Sequence, residues 1–127
     1  MYSTQTFRQY GQYSGAMGGQ MAIGSSLLHT VQHCEATCEH MVTHLIGLPH
    51  DDRRDVQILL VRDCADMCTL MAKYLARDSF FSKALANSCA YVCEQCALEC
   101  SKFPDQMSQN CAQVCQHCAQ ACRAFAA

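Results

Sequence analysis

The sequence predicts an all-α protein: an up-down antiparallel four-helix bundle with a cysteine-lined core and a short flexible N-terminal arm. Two observations lead to this prediction. From about residue 25 the chain divides into four stretches of similar length, which are rich in helix-favouring residues and contain no internal proline. Cysteines recur along these stretches at helical spacing, which places them on one face of each predicted helix.

Three turn signals separate the predicted helices, which span residues 25–46, 52–77, 79–102 and 105–126. The first signal, residues 47–52, combines a glycine stop, a proline and aspartates that can cap the next helix. The other two contain Asp78 or Ser79, and Asp105 or Ser108, as candidate caps. Because the connections are short, consecutive helices are expected to run antiparallel.

The beginning of the chain differs from the rest. Residues 1–20 are rich in Tyr, Gln, Ser and Gly, so we predict a flexible arm over 1–20 and one bundle domain over 21–127. The arm has neither the apolar stretch of a secretory leader nor a twin arginine, which favours a cytoplasmic protein with reduced thiols.

Neither a membrane nor a nucleic acid is an expected partner. The longest aliphatic block, residues 58–61, is far shorter than the roughly 18 residues that a membrane helix needs. The net charge of −2 argues against a nucleic-acid-binding face.

Cysteine takes the place of part of the usual aliphatic core. Leu, Ile, Val and Phe together number 24 of 127 residues, while 12 residues are Cys. The low net charge argues against disorder, so something else must fill the interior. Cysteine is the candidate, since it packs as a small hydrophobic residue and is among the most buried types.

The cysteines form rows. The third and fourth predicted helices each carry them at i, i+4, i+7 and i+11: Cys89, Cys93, Cys96, Cys100 and Cys111, Cys115, Cys118, Cys122. The first two helices continue the same phase with apolar residues: Cys34, Cys38, Met41, Leu45 and Cys64, Cys68, Met71, Leu75. Since the leucines share the phase of the cysteines, the rows are predicted to face the core.

Several roles for such rows can be compared. Packing alone is a poor explanation, because leucine packs more stably and thiols oxidise. Disulfides within a helix are disfavoured, since Cβ atoms at i and i+4 lie about 5–6 Å apart, whereas bridges between helices remain open. Structural zinc sites commonly use Cys-x2-Cys on a turn, whereas the dominant pair here is Cys-x3-Cys on a helix. The triplet Cys-x3-Cys-x2-Cys occurs twice and matches the cluster-binding spacing of radical SAM enzymes, although that motif lies on a loop of a larger barrel.

Cu(I) fits the rows best. Thiolate and thioether are soft ligands that favour Cu(I), and pairs of thiolates along or between helices could bind it. One Cu⁺ per thiolate leaves a neutral core, whereas Zn²⁺ with four thiolates leaves a net charge of −2 at each site. Binding is expected to release about one proton per ion, because the ligand is the thiolate. Met41 and His44 are weaker ligands near the end of the first helix, where they are predicted to guide ions inward.

At these motifs the sequence resembles the bacterial copper storage proteins, also known as four-helix-bundle copper-binding or cysteine-rich YhjQ-like proteins. The resemblance covers residues 21–127. It rests on the Cys-x3-Cys pairs of the first two helices, on the two four-cysteine rows and on the Ser-Lys-Phe-Pro sequence at 101–104 between them. It implies a bundle that binds many Cu(I) ions through inward cysteines, usually as a homotetramer, with a Met- and His-bearing mouth at Met41 and His44.

The predicted function is storage or sequestration of Cu(I), roughly one ion per cysteine and fewer than in the most cysteine-rich members. No catalytic role is expected, since the sequence has no nucleophile–base set, phosphate loop or dinucleotide fingerprint. The alternative is a thiol redox protein or one that binds iron–sulfur clusters or zinc.

Overall fold

The computed structural model describes residues 18–127, with side chains described from Ser26 onward. Over these residues it contains four α-helices: α1 (Gly18–Ile46), α2 (Asp55–Ala76), α3 (Ser82–Cys100) and α4 (Gln106–Ala126). A 3₁₀ turn, Asp52–Arg54, precedes α2. The predicted all-α four-helix bundle is therefore confirmed. The first helix begins at Gly18 instead of residue 25, so residues 18–20 of the predicted arm are helical. The rest of the predicted arm, residues 1–17, lies outside the described residues.

Each helix packs against its two neighbours in the ring α1–α2–α3–α4, with α4 returning to α1. Consecutive helices are antiparallel, as short connections require. The α3–α4 pair is packed closely because alanines that follow the cysteines are buried between them, including Ala90, Ala97 and Ala119. Small side chains at these positions let the two backbones approach.

The loops lie at the predicted turns, but α2 begins at Asp55 instead of residue 52, and the start of α3 also differs from the prediction. Asp51 caps the 3₁₀ turn by accepting a hydrogen bond from the Arg53 amide, and Asp105 caps α4 by accepting from the Ser108 amide. Neither Asp78 nor Ser79 is the N-cap of α3, which begins at Ser82 instead of residue 79. Asp78 adopts a left-handed conformation with φ of 49°. Residues 79–81, which the sequence pattern assigns to the first turn of α3, therefore belong to the loop before it.

The buried rows are those that the spacing predicts. All twelve cysteines are fully buried, and the row in α1 runs on through Leu27, Val31, Met41 and Leu45. In α3 the row continues through Ala86 and Ser82. These inward faces form one continuous core along the axis of the bundle.

Candidate metal centre

The twelve cysteines line the centre of the bundle as free thiols: Cys34, Cys38, Cys64, Cys68, Cys89, Cys93, Cys96, Cys100, Cys111, Cys115, Cys118 and Cys122. Their positions follow from helical periodicity, because i, i+4, i+7 and i+11 stay on one face over three turns. Each helix contributes its row to the same axis, so the sulfurs meet at the centre.

Ten of the twelve sulfurs form four overlapping groups of four, within which every Sγ lies within 4.8 Å of the others. Along the bundle the groups are Cys68, Cys89, Cys93, Cys118; then Cys34, Cys64, Cys68, Cys93; then Cys34, Cys38, Cys64, Cys115; then Cys38, Cys96, Cys111, Cys115. We call these groups the thiol quartets. Successive quartets share two cysteines, so the sulfurs form one unbroken column. Cys100 and Cys122 belong to no quartet and lie at opposite ends of the column.

The distances between sulfurs suit bridging by metal ions. Eight Sγ–Sγ contacts lie between 3.6 and 4.0 Å, the shortest being Cys38–Cys115 and Cys64–Cys93. Two sulfurs bound tetrahedrally to one ion at about 2.3 Å, the zinc–thiolate bond length, would be about 3.8 Å apart. The thiols are thus spaced to share ions between helices with small adjustments of their side chains.

Hydrogen bonding and burial shift the pKa values of individual thiols in opposite directions. Hydrogen bonds with Cys115 and Cys118 lower the pKa of Cys34. Hydrogen bonding with Cys111, together with burial, raises the pKa of Cys115. Once a thiol such as Cys34 has lost its proton, further thiolates are opposed by like charge in a low-dielectric interior. Cations that enter the column would remove this opposition, which couples ion uptake to proton release.

The two ends of the column differ in chemistry. One end, which we call the aliphatic end, is closed by Leu27, Val31, Met71 and Leu75. These side chains pack around the last thiols but, apart from the Met71 thioether, offer no ligand atoms. The opposite end, which we call the polar end, lies under the loops at 47–54 and 101–105, and there the buried polar side chains of Gln57 and Ser108 join the apolar Met41 and Leu45.

This polar end is a hydrogen-bonded network of Arg54, Gln57, Cys100, Asp105 and Ser108. The Arg54 guanidinium donates to Gln57 Oε1 at 2.8 Å, to Ser108 Oγ at 3.1 Å and to Asp105 Oδ1 at 2.9 Å. The fully buried Gln57 amide donates to Ser108 Oγ at 2.9 Å and to Cys100 Sγ at 3.5 Å. The network thus links the loop at 47–54 to the loop at 101–105, beside Cys100, the last thiol of α3.

The polar network is not among the features predicted from the sequence, although a signal for it exists there. Gln57 lies seven residues before Cys64 and Ser108 three before Cys111, so both are on the cysteine rows. Polar residues on an inward row require buried partners. Arg54 provides them, and its guanidinium also lies 4.0 Å from the centroid of the Phe103 ring.

Met41 and His44 lie on the last turns of α1, on the side of the polar end. Met41 is buried beside the thiol column, whereas His44 is only half-buried. Met41 also lines a surface groove of about 290 Å³ between α1 and α4, together with His40 and Met107. His44 is not among the residues that line this groove.

Among the described residues, no helix is long and apolar enough to cross a bilayer. The copper storage protein family model matches residues 21–127. The cysteine-rich protein YhjQ of Bacillus subtilis (strain 168), whose function is uncharacterised, is 37% identical over 69 residues. That match covers 54% of this chain and 64% of the relative, so the chain spans slightly under two thirds of the length of YhjQ.

Solved structures share the fold over most of the chain. The Cu(I)-bound copper storage protein BsCsp3 has a TM-score of 0.80 at 33% identity, covering 83% of this chain and 99% of that one. The apo form of copper storage protein 3 from Bacillus subtilis has a TM-score of 0.76 at 34% identity, covering 81% and 98%. A protein from Nitrosospira multiformis has a TM-score of 0.75 at 27% identity, covering 83% and 95%. Together with the family match over residues 21–127, this places the chain in the copper storage protein family.

Proposed function

We propose that the protein stores copper as Cu(I), with all twelve cysteines as ligands and about one ion per thiolate. The observation that supports this most directly is the sharing of sulfurs between successive thiol quartets. Shared sulfurs suit an ion that accepts few ligands and allows each thiolate to bridge two ions. Soft thiolates favour Cu(I) among the ions available to such a site.

Charge supports the same ion. A column of thiolates without cations is costly in a low-dielectric interior. One Cu⁺ per thiolate keeps the column neutral at every stage of loading, so capacity is not limited by accumulated charge. No catalytic step is needed for this role, and we propose none.

Zinc would fill the same column differently. Zn²⁺ takes four ligands of its own in a structural site. Because neighbouring quartets share cysteines, at most two of the four can be occupied without sharing, for example the group that contains Cys118 and the group that contains Cys38 and Cys64. A zinc protein would therefore bind about two ions per chain in isolated tetrahedral sites, far fewer than a Cu(I) store.

The test is an anaerobic titration of the reduced protein with Cu(I) against a calibrated chelator. We expect binding to continue to about one ion per thiol, with release of about one proton per ion. Saturation at one or two ions per chain would rule out a store. Iron content with a visible charge-transfer band in anaerobically purified protein would favour an iron–sulfur protein instead, since Cu(I)–thiolate is colourless.

We further propose that Met41 and His44 form part of the entrance for copper. A thioether and an imidazole bind Cu(I) more weakly than thiolate, so they can pass an ion to Cys38, one turn further into the column. Met71 provides a matched control, because it is equally buried but lies at the aliphatic end. Met41→Leu and His44→Gln should slow copper loading without changing the number of ions bound, whereas Met71→Leu should load at the rate of the wild type. Equal rates in all variants would contradict this entrance.

We propose a cytoplasmic location, because twelve thiols remain reduced only in a reducing compartment. We also propose a homo-oligomer, a tetramer by resemblance to the family. Large exposed side chains on α2 and α3, such as Leu59, Tyr91 and Leu98, are available for contacts between copies. Light scattering after size exclusion would measure the assembly, and a monomer would contradict it.

A further inference from the structure

Three of the six histidines of the chain line one groove outside the thiol column. The groove lies between α1 and α4 and has a volume of about 390 Å³. His29 and His33 come from α1 and His117 from α4, and all three are exposed. We call this feature the imidazole groove. Its histidines lie outside the cysteine rows, so copper storage in the core gives them no role.

The register of the helices brings the three histidines to one level. Cys115 Sγ contacts both Cys34 Sγ at 3.9 Å and Cys38 Sγ at 3.6 Å, so Cys115 is level with about residue 36 of α1. Because α4 runs antiparallel to α1, His117 is level with about residue 34. It therefore lies across the groove from His33 and about one helical turn from His29.

His29 and His33 are four residues apart on α1, which is the spacing of a pair that can chelate one ion. Residues at i and i+4 of a helix have Cβ atoms about 5–6 Å apart and project side by side. The three ring nitrogens do not converge within 4.8 Å of one another in this structure. Binding an ion would therefore require rotation about χ1 and χ2 of the three rings, and all three side chains are exposed.

Among the described residues, the rest of the lining of the groove carries no fixed positive charge that would repel a cation. Its other lining residues are Thr30, Asn110, Gln113 and Val114. The two amides can supply an oxygen ligand or hydrogen-bond to water on the ion. Three neutral imidazoles suit borderline divalent ions such as Ni²⁺, Cu²⁺ and Zn²⁺, with Cu²⁺ bound most tightly in the general order of affinity.

We infer that His29, His33 and His117 form a surface site for a borderline divalent transition-metal ion, which joins α1 to α4 across the imidazole groove. This site is separate from the thiol column in ligands and in ion preference. The column binds a soft monovalent ion in a buried position, whereas the groove binds a divalent ion that remains in contact with water.

Nickel is a suitable probe because it is paramagnetic and is not reduced by thiols. Untagged protein is first saturated with Cu(I) under argon, so that the thiols are occupied, and its copper content is measured as a separate result. Ni²⁺ is then titrated while the ring-proton resonances of the histidines are followed by NMR. We expect the signals of His29, His33 and His117 to broaden together at the lowest Ni²⁺ concentrations.

Variants separate a three-histidine site from a chelating pair on one helix. His33→Gln and His117→Gln should each weaken Ni²⁺ binding by at least about tenfold. Loss of a residue that only orients a metal ligand already lowers metal affinity by about 10–100-fold, and these changes remove a ligand itself. His40→Gln is the matched control, since His40 is exposed on the same helix outside this groove. All variants are expected to keep the helical circular dichroism and copper content of the wild type.

Two results would overturn the inference. The first is wild-type affinity in His117→Gln, which would leave only the pair on α1. The second is broadening confined to His50, whose ring nitrogen lies within 4.8 Å of carboxylate oxygens of Asp52 and Asp55. Neither result affects the copper stoichiometry of the thiol column, so the two proposals are tested independently.

Discussion

Replacing Arg54 by methionine is expected to destabilise the polar end of the bundle, whereas the same change at Arg53 is not. Both arginines lie in the same 3₁₀ turn and both pair with an aspartate. Their environments differ. The Arg54 and Asp105 side chains are 18% and 33% exposed, while that of Arg53 is 85% exposed and its pair is local.

The expected cost follows from the three hydrogen bonds that are lost with the Arg54 guanidinium. Asp105, Gln57 and Ser108 each lose a charge-assisted hydrogen bond. Removing one partner of a fully buried ion pair costs about 3–5 kcal/mol, and partial exposure of Asp105 reduces this to about 2–3 kcal/mol. In a domain of this size that corresponds to a fall in Tm of roughly 10–15 °C. Arg53→Met should leave the free energy of unfolding close to that of the wild type, because exposed pairs contribute little.

The assay is urea unfolding of the reduced apoprotein at neutral pH, followed by circular dichroism. A lower midpoint with an unchanged m-value in Arg54→Met would indicate lost native-state interactions. A second readout is alkylation of Cys100, which should be faster in Arg54→Met, because opening of the network exposes that thiol first. Equal midpoints for Arg54→Met and Arg53→Met would refute the assignment of Arg54 as the residue that joins the two loops.

Three further predictions concern acid, the thiol column and the aliphatic end. Burial alone raises the pKa of Asp105, but hydrogen bonds from Arg54 and Ser108 outweigh it and hold the pKa below its ordinary value. This stabilisation is complete above the unfolded pKa of about 3.9 and is lost as the pH falls through the folded pKa. The difference in stability between wild type and Arg54→Met should thus be constant from pH 5 to 7 and shrink in stronger acid; a constant difference in acid would contradict it. Cys115→Ser, which removes a sulfur shared by two quartets, should lower Cu(I) capacity more than Cys122→Ser, which lies outside the quartets; equal losses would argue against shared sulfurs. In urea unfolding, Leu75→Ala should cost about 2–4 kcal/mol, whereas Leu70→Ala, which is 40% exposed on the same helix, should cost much less; similar costs would mean that Leu75 does not seal the aliphatic end.

Much of the fold could be predicted because helical periodicity relates sequence to direction around a helix. The phase shared by Cys34, Cys38 and Leu45 predicts an inward row, and burial of these residues confirms it. The start of α3 lies three residues later than the turn signals predict. Asp78 and Ser79 have the chemistry of caps, but the left-handed conformation of Asp78 belongs to a turn that propensity alone does not distinguish from a cap.

The sequence alone therefore determined which face of each helix carries sulfur and how many sulfurs the core contains. Only the tertiary structure decided which sulfurs meet, because the spacing within a helix does not set its axial offset from its neighbours. That offset makes Cys115 contact both Cys34 and Cys38, places Gln57 against Cys100, and brings His117 level with His33. Contacts between helices depend on packing of the whole bundle, so neither the quartets nor the imidazole groove could be read from one helix at a time.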